Sequence, residues 1–373
     1  MERTLTSRGI LCPIIREGDN LAKIVADAVL EATAKDWSQM DFGGSAHELG
    51  YHLHDKDVIG ITESVIARAA GLYVTVDEIA EDVKKKFGDP YEIVVFAPIY
   101  SRNRFSMILK GIARATQKVL FVMPRYDEVG NPCGVNPFTG VDIQKYYEEI
   151  CKSENCEFGL ATEDDWYFHN SVIYCGLHDY KQWKEFYNPP MGRTDGKTFL
   201  TLADICNDKN PDFGLLGSNK ATEEKLKLFP TKKEAKRVCT EVKYIVKNTC
   251  GRDVVVMAYG DGSYKDLDAG IWEMADPVSS PGYTDEELLE STPNEVKVKA
   301  LADDKFKELS GDELNEAIKN EIKANAGKNL VGNMVSQGTT PRRYVNLLAS
   351  LMDLTSGSGD RCTPVVLVQN YFR

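Results

Sequence analysis

Amphipathic helices and short apolar strands alternate along most of the 373-residue chain. Residues 20–34 place Leu21 and Val25 at the spacing of a helix that buries one face. Residues 91–97 and 253–259 are short, nearly continuous apolar runs, which are typical of buried strands. The alternation predicts a mixed α/β or α+β fold. The composition, 42% hydrophobic and 27% charged, excludes a coiled-coil rod, a collagen-like repeat and a disordered tail.

Residues 125–212 differ in composition from the flanking sequence. They are rich in Tyr, Trp, Asp, Asn, Pro and Gly, and their apolar runs are short. We therefore expect a large inserted, aromatic-rich subdomain here. Its aromatic side chains either stack on a flat ligand ring or form the core of the subdomain, and both interpretations stay open. They include Trp166, Tyr167, Trp183, Phe186 and Tyr187.

Charge and cysteine content limit the partners and the compartment. The chain has 45 Lys and Arg against 57 Asp and Glu, a net charge of −12, which disfavours nucleic acids and anionic membranes as partners. No apolar run is long enough for a membrane span or a signal-peptide core. The 9 cysteines are scattered and form no C-x-x-C pair, as in reduced intracellular proteins. We expect a cytoplasmic protein without a nucleic-acid or membrane partner.

Four polar, glycine-bearing turns adjoin predicted strands or helices, at 15–20, 61–71, 258–270 and 356–368. Backbone amides in such turns can cradle a phosphate, and nearby carboxylates can hold Mg²⁺ or Mn²⁺. Each turn alone is more often only a turn. The chain has no Walker A pattern, no G-x-G-x-x-G fingerprint after a strand and no G-x-S-x-G elbow. The residues predict anion- and metal-capable turns, and leave open whether these converge.

The order and content of these turns resemble the coenzyme F420-0:L-glutamate ligase family, the GTP-dependent γ-glutamyl ligases of deazaflavin coenzyme synthesis. The matching segments are IREGDNLAKIVADAV, DVIGITESVIARAAG, LLGSN, the stretch 226–262 and SGSGDRCTPVVLVQN. The resemblance implies one ligase-like scaffold in two parts, residues 1–124 and 213–373. Residues 125–212 would interrupt it, and a helical stretch at about 276–340 would be a second insertion.

The resemblance also implies an activity. The family's members are dimers that bind GTP and Mn²⁺ or Mg²⁺ and activate a substrate carboxylate as an acyl phosphate. The amine of glutamate then attacks, which gives an amide, GDP and phosphate. We accordingly expect a nucleotide- and divalent-metal-dependent γ-glutamyl-type ligase and a homodimer. It would use GTP or ATP, an amino acid such as L-glutamate and a small-molecule acceptor carboxylate that need not be coenzyme F420.

Carried over residue by residue, the resemblance implies nucleotide-binding residues in the matched turns. They are Arg16, Glu17, Gly18, Asp19, Glu63, Ser64, Arg68, Asn219, Gly357, Ser358, Gly359 and Asp360. The family's two metal-binding aspartates have no direct match, because Leu216 occupies the first place and the second falls near Tyr259 and Gly260. The expected substitutes, in the loop that follows, are Asp261, Asp266 and Asp268.

Two other functions stay open at this point. A leucine in place of a metal-binding carboxylate favours a non-catalytic relative that keeps the fold as a ligand-binding or assembly module. A different enzyme on the same scaffold would instead carry its site in the insertion, near His169, His178 and Asp179.

Overall fold

The computed structural model gives the protein a mixed α/β fold, as the alternation of elements predicts. The described residues are 4–34, 52–96, 105–122, 134–135, 140–161, 169–175, 198–260, 263–265, 272–274, 282–290, 296–329, 343–356 and 362–372. No helix in these ranges is long and apolar enough to cross a bilayer.

The strands and helices in the described ranges are numbered in chain order. The strands are β1 (Thr6–Ile10), β2 (Val58–Thr62), β3 (Tyr73–Thr75), β4 (Glu92–Phe96), β5 (Lys118–Val122), β6 (Glu157–Leu160), β7 (Ser171–Tyr174), β8 (Thr198–Thr201), β9 (Asn219–Thr222), β10 (Lys225–Lys227), β11 (Val255–Tyr259), β12 (Ser263–Lys265), β13 (Trp272–Met274) and β14 (Val365–Gln369). The helices are α1 (Leu21–Thr33), α2 (Glu63–Ala69), α3 (Val76–Phe87), α4 (Ser106–Ala115), α5 (Ile143–Ser153), α6 (Lys232–Cys250), α7 (Val298–Ala300), α8 (Gly311–Asn325) and α9 (Tyr344–Ser356). A 3₁₀ turn at Glu286–Leu289 and a π turn at Leu301–Lys305 complete the helical segments of these ranges.

A four-stranded sheet in the order β1-β14-β2-β11 is covered by helices on both faces. β14 is antiparallel to both of its neighbours, and β11 is parallel to β2. Helices α1 and α6 pack on one face, where Val25 and Val242 contact the core around Ile61. Helix α9 covers the other face through Leu348 and Met352. Burial on both faces explains why β2, β11 and β14 are continuous apolar runs.

A second, five-stranded sheet is fully parallel, with the order β6-β5-β4-β7-β8. Residues of α3, α4 and α5 share one apolar core with this sheet. Strands β4 and β5 precede residue 124, whereas β6 to β8 fall within 125–212. The sheet therefore combines strands from the predicted first part of the scaffold and from the predicted insertion.

A small antiparallel sheet, β3-β10-β9, lies next to α2 in the fold. β3 follows α2 after a short turn and leads directly into α3. The Thr75 side chain caps α3 by accepting from the Glu78 backbone, and the Glu78 carboxylate accepts in return from the Thr75 amide. In the register of β10, Lys227 pairs with Asn219 on one side and with Tyr73 on the other. This register brings a lysine of β10 beside the start of α2.

Local signals account for where the predicted helices begin and end. Helix α6, predicted at 231–248, has Thr231 as its N-cap, with the side-chain oxygen accepting from the Glu234 amide. It ends at Gly251, whose φ of 76° is the left-handed conformation that glycine adopts readily. Helix α8 matches the predicted surface helix at 311–325, and none of its residues is buried.

Candidate functional site

A cleft lies where α2 and β10 meet the segments that follow β1 and precede β14. One part of it, of about 420 Å³, includes Cys12 and Cys362 in its walls, and we call it the cysteine end. The other part, of about 410 Å³, includes Lys220 and Lys225, and we call it the lysine end. The side chains common to both parts are Ser64, Arg68, Asn219 and Lys227. Both volumes are within the range of small-molecule sites, roughly 300–1,000 Å³.

Helix α2 presents two polar side chains to this cleft. β2 ends at Thr62 and α2 begins at Glu63 without an intervening loop. Ser64 and Arg68 are therefore four residues apart on one face of the helix, and both line the cleft. Arg68 is exposed to solvent, and it forms no ion pair with any side chain in the described ranges. Its guanidinium is available to a bound anion.

Lys227 is the buried cation of the cleft. Its side chain is only 10% exposed, and its Nζ lies 2.5 Å from the Ser64 Oγ and 3.4 Å from a Glu63 carboxylate oxygen. A buried ammonium is costly unless it is paired and hydrogen-bonded, and these two partners meet that requirement. Lys225, two residues earlier, lines the same cleft, because alternate residues of a strand share one side.

Lys227 was not among the residues predicted from the sequence. It stands between Leu226 and Leu228, which are both buried. A lysine flanked by apolar residues in so short a strand is the available signal, but the same pattern is common in edge strands that point lysine to solvent. Whether the lysine is buried or points to solvent depends on the position of α2 beside β10. The local sequence does not show where α2 packs.

The lysine end of the cleft is positively charged. In the described part of the chain, its cations are Arg68, Lys220, Lys225 and Lys227, against Glu17 in its lining and Glu63 beside Lys227. Lys220 is partly neutralised, since its Nζ lies 2.6 Å from a Glu223 carboxylate oxygen. The cysteine end adds one carboxylate, Asp353. In a chain with a net charge of −12, this local reversal favours an anionic ligand.

Comparison with known proteins identifies the family. The model of F420-0:gamma-glutamyl ligase matches residues 9–370, nearly the whole chain. The chain belongs to the F420-0:gamma-glutamyl ligase family. None of the curated proteins matches it significantly. The family match confirms the predicted resemblance, is consistent with a ligase-like scaffold and supports a γ-glutamyl ligase.

Leu216 stands where the resemblance expects the first of the family's metal-binding aspartates. Its side chain is 7% exposed and packs in the apolar core beneath the five-stranded sheet, together with Leu202 and Leu215. It does not line the cleft at either end. An aliphatic side chain is not a ligand for a hard cation, so this position contributes nothing to a metal site.

Tyr259, at the end of β11, lies near the place where the resemblance expects the second metal-binding aspartate. The residue is 1% exposed, yet it lines the cysteine end of the cleft. Burial raises the pKa of its phenol to about 12, although the nearby Ser356 acts in the opposite direction. Its hydroxyl makes no hydrogen bond of ordinary geometry with the described residues. At neutral pH this side chain is therefore a neutral phenol beside the cleft rather than an anionic ligand.

The described part of the cleft does not fit a divalent cation. Among the described residues, no three His, Cys, Asp or Glu side chains are grouped as metal ligands would be. The substitutes expected from the sequence, Asp261, Asp266 and Asp268, lie outside the described residues, and their role stays a prediction.

The predicted nucleotide-binding residues fall into three groups. Those that line the cleft are Glu17, Glu63, Ser64, Arg68 and Asn219. The turn before α1 holds Arg16, Gly18 and Asp19; there the Arg16 amide donates to the Asp19 carboxylate at 2.6 Å, and Asp19 lines a separate depression beside α6. The third group lies outside the described residues and consists of Gly357, Ser358, Gly359 and Asp360.

The alternative site in the insertion is only partly visible. The described His169 lies at the start of β7, where its Nδ1 is 2.6 Å from a Glu92 carboxylate oxygen. Lys118 pairs with the same carboxylate, at 2.8 Å. These contacts form a local polar network at the amino ends of the parallel strands, in which Lys118 and Glu92 are an ion pair. The other two residues of this hypothesis, His178 and Asp179, lie outside the described residues, as do the aromatic residues Trp166, Tyr167, Trp183, Phe186 and Tyr187.

Proposed function

We propose that this family member joins an amino acid such as L-glutamate to a small-molecule acceptor carboxylate, using GTP or ATP and an acyl phosphate intermediate. One observation carries the proposal: Arg68, Lys220, Lys225 and Lys227 surround one cleft together with Ser64 and Asn219. Such a cluster of cations and hydrogen-bonding groups suits a polyphosphate. The family match supports the ligase class.

The two ends of the cleft suit two different substrates. The lysine end would hold the phosphates of the nucleotide, with Arg68 donating two parallel hydrogen bonds to phosphate oxygens. The cysteine end has fewer charges and would hold the acceptor. The neutral side chain of Tyr259 forms part of the wall there. Ser64 and Lys227, which belong to both ends, lie where the two substrates would meet.

The chemistry at that meeting point follows from charge. An acceptor carboxylate oxygen forms a bond to the terminal phosphorus, and the nucleoside diphosphate leaves. The neutral amine of the amino acid then attacks the acyl carbon, loses a proton and expels phosphate. Negative charge builds up on the phosphoryl oxygens in the first step, so cations fixed beside it lower the barrier. Lys227 is held in place by Ser64 and Glu63 and is the best-positioned cation for this role.

A direct test measures nucleotide binding to the purified protein by calorimetry, with GTP and with ATP. We expect one of them to bind, and Arg68→Gln to weaken its affinity by about tenfold, which corresponds to ~1.4 kcal/mol. Arg252→Gln is the matched control, because Arg252 precedes β11 and so lies at the end of that strand opposite Tyr259. The Arg252→Gln variant should bind the nucleotide with the affinity of the wild type. Absence of binding by both nucleotides would refute the proposal.

Catalysis needs its own measurement, because Leu216 and Tyr259 favour a second candidate, a ligand-binding relative without ligase activity. The assay supplies nucleotide, L-glutamate and a panel of small carboxylic acids, and follows phosphate release and the mass of a new amide. An amide that forms only with all three substrates supports the ligase. Nucleotide binding without any amide across the panel supports the ligand-binding relative.

The proposal includes a homodimer and a divalent cation as expected partners. Light scattering on the purified protein distinguishes a dimer from a monomer. The residues expected to hold the cation, Asp261, Asp266 and Asp268, lie outside the described ranges. The dependence of the reaction on the cation is therefore measured by repeating the amide assay with Mg²⁺, with Mn²⁺ and with a chelator.

A further inference from the structure

We infer that the Lys227 ammonium supplies from within the chain the positive charge that holds the nucleotide phosphates, so that nucleotide binding in this cleft needs no divalent cation. The inference rests on the proposed function, because it concerns how the same cleft holds the nucleotide. It goes beyond that function by assigning to one side chain a task that the family resemblance would give to a metal.

The placement of Lys227 is the first argument. Its side chain reaches the point shared by the two ends of the cleft, and the Ser64 hydroxyl and the Glu63 carboxylate hold the ammonium there. The Cα of Lys227 is also fixed, because β10 pairs through its backbone with β3 on one side and with β9 on the other. A cation positioned in this way loses little conformational freedom when an anion binds, so less of the binding energy is spent on ordering it.

The chemistry of the two expected metal positions is the second argument. Leu216 is buried in an apolar core away from the cleft. Tyr259 does line the cleft, but burial raises the pKa of its phenol to about 12, so the side chain is neutral and carries no negative charge for a metal. A neutral phenol is a poor ligand for Mg²⁺ or Mn²⁺, which prefer carboxylate, carbonyl and water oxygens, and its O–H is a donor suited to an anion.

The balance of charge at the lysine end is the third argument. The described cations there are Arg68, Lys220, Lys225 and Lys227. These four stand against three carboxylates: Glu17, Glu63 beside Lys227 and Glu223 beside Lys220. A free divalent cation would be repelled from such a site, whereas a triphosphate would be attracted. The cations of the lysine end therefore neutralise phosphate charge before any metal binds.

The test measures the affinity for GTP and for ATP by calorimetry in excess EDTA and again in excess Mg²⁺ or Mn²⁺. For the nucleotide that binds, we expect the wild-type dissociation constant in EDTA to be within about threefold of the value with metal, a difference below ~0.7 kcal/mol. Binding of the wild type only when metal is present would overturn the inference and leave the proposed function standing. Failure to bind under every condition would overturn both.

Variants of Lys227 assign the effect to its ammonium. In EDTA, Lys227→Gln should weaken binding by about tenfold to a hundredfold, which added metal should not restore, and Lys227→Arg should retain most of the affinity. Lys247→Gln, on the exposed surface of α6, is the matched control and should bind as the wild type does. Wild-type affinity of Lys227→Gln in EDTA would refute the inference. Circular dichroism shows whether each variant is folded. If Lys227→Gln does not fold, the affinities of the wild type with and without metal decide whether nucleotide binding needs a divalent cation.

Discussion

Ser64 and Lys227 are 163 positions apart in the sequence, and the Nζ of Lys227 lies 2.5 Å from the Oγ of Ser64. The contact joins the first turn of α2 to the last residue of β10. It therefore ties the four-stranded sheet, through the helix that follows β2, to the small antiparallel sheet. The position of the buried ammonium depends on this hydroxyl as much as on the strand that carries the lysine.

Replacement of Ser64 by alanine tests that dependence. The variant keeps the charge of Lys227 but removes a hydrogen bond to a charged group, an interaction of about 1.5–3 kcal/mol. We expect the dissociation constant of the bound nucleotide to rise by about tenfold, while Ser64→Thr retains most of the affinity. Ser153→Ala, at the exposed end of α5, is the control and should leave the affinity unchanged. An unaltered dissociation constant for Ser64→Ala would show that the ammonium does not need the hydroxyl.

The two cysteines of the cleft should differ in reactivity. Cys362 is exposed, whereas Cys12 is half-buried, and burial raises the pKa of the Cys12 thiol to about 11. Because the thiolate is the nucleophile, iodoacetamide at pH 8 should modify Cys362 before Cys12. The buried Cys239, whose pKa is raised to about 12 by its burial, should react last of the three. Peptide mass spectrometry at successive times measures the order, and faster labelling of Cys12 would contradict the described burial.

The pairing of α3 with α4 should not tolerate a side chain at position 111. A Cβ on Gly111 would lie 2.7 Å from the Cβ of Ile79 and 2.5 Å from its Cγ2. Alanine in a helix interior is normally about 1 kcal/mol better than glycine, but here the contact between the helices dominates. We expect Gly111→Ala to lower the free energy of unfolding by about 1–3 kcal/mol in urea titrations.

A helix-surface substitution provides the control for Gly111→Ala. Thr240 lies on the exposed side of α6, so Thr240→Ala should change the free energy of unfolding by less than about 0.5 kcal/mol. A stabilised Gly111→Ala variant would mean that α3 and α4 are farther apart than described.

The Glu78 carboxylate should make the free energy of unfolding fall as the pH is lowered. The ammonium of Lys209, at 2.6 Å, and the Thr75 amide, at 2.8 Å, hold the pKa of this carboxyl below its usual value of 4.5. Because the pKa is lower in the folded state, the charged carboxylate stabilises the fold above pH 4.5, and this contribution is lost as the pH falls through the folded-state pKa. The difference in unfolding free energy between the wild type and Glu78→Gln should therefore shrink below that pH.

The Lys209 partner provides the control for this pH dependence. In a Lys209→Gln background, the same comparison should vary less with pH, since the first cause of the lowered pKa is removed. A wild-type advantage that grew as the pH fell would contradict the described contacts.

The local sequence determined most of the secondary structure in the described ranges. Residues 20–34 and 231–248 form α1 and α6, because the apolar face and the capping residues of each helix are encoded within it. Strand β1 was not predicted. Its residues TSRGI are mostly exposed and carry no apolar pattern, so it exists as a strand only because it pairs with β14 at the other end of the chain.

The sequence by itself determined the family and the mixed α/β class. Only the tertiary structure decided that Ser64, Arg68 and Asn219 share a cleft with Lys227, and that Glu17 lines it while the adjacent Arg16 does not. The physical reason is that hydrophobic periodicity fixes which side of an element is buried. Which polar side chains then converge depends on strand register and on packing between distant segments, and neither is written in any local stretch of the chain.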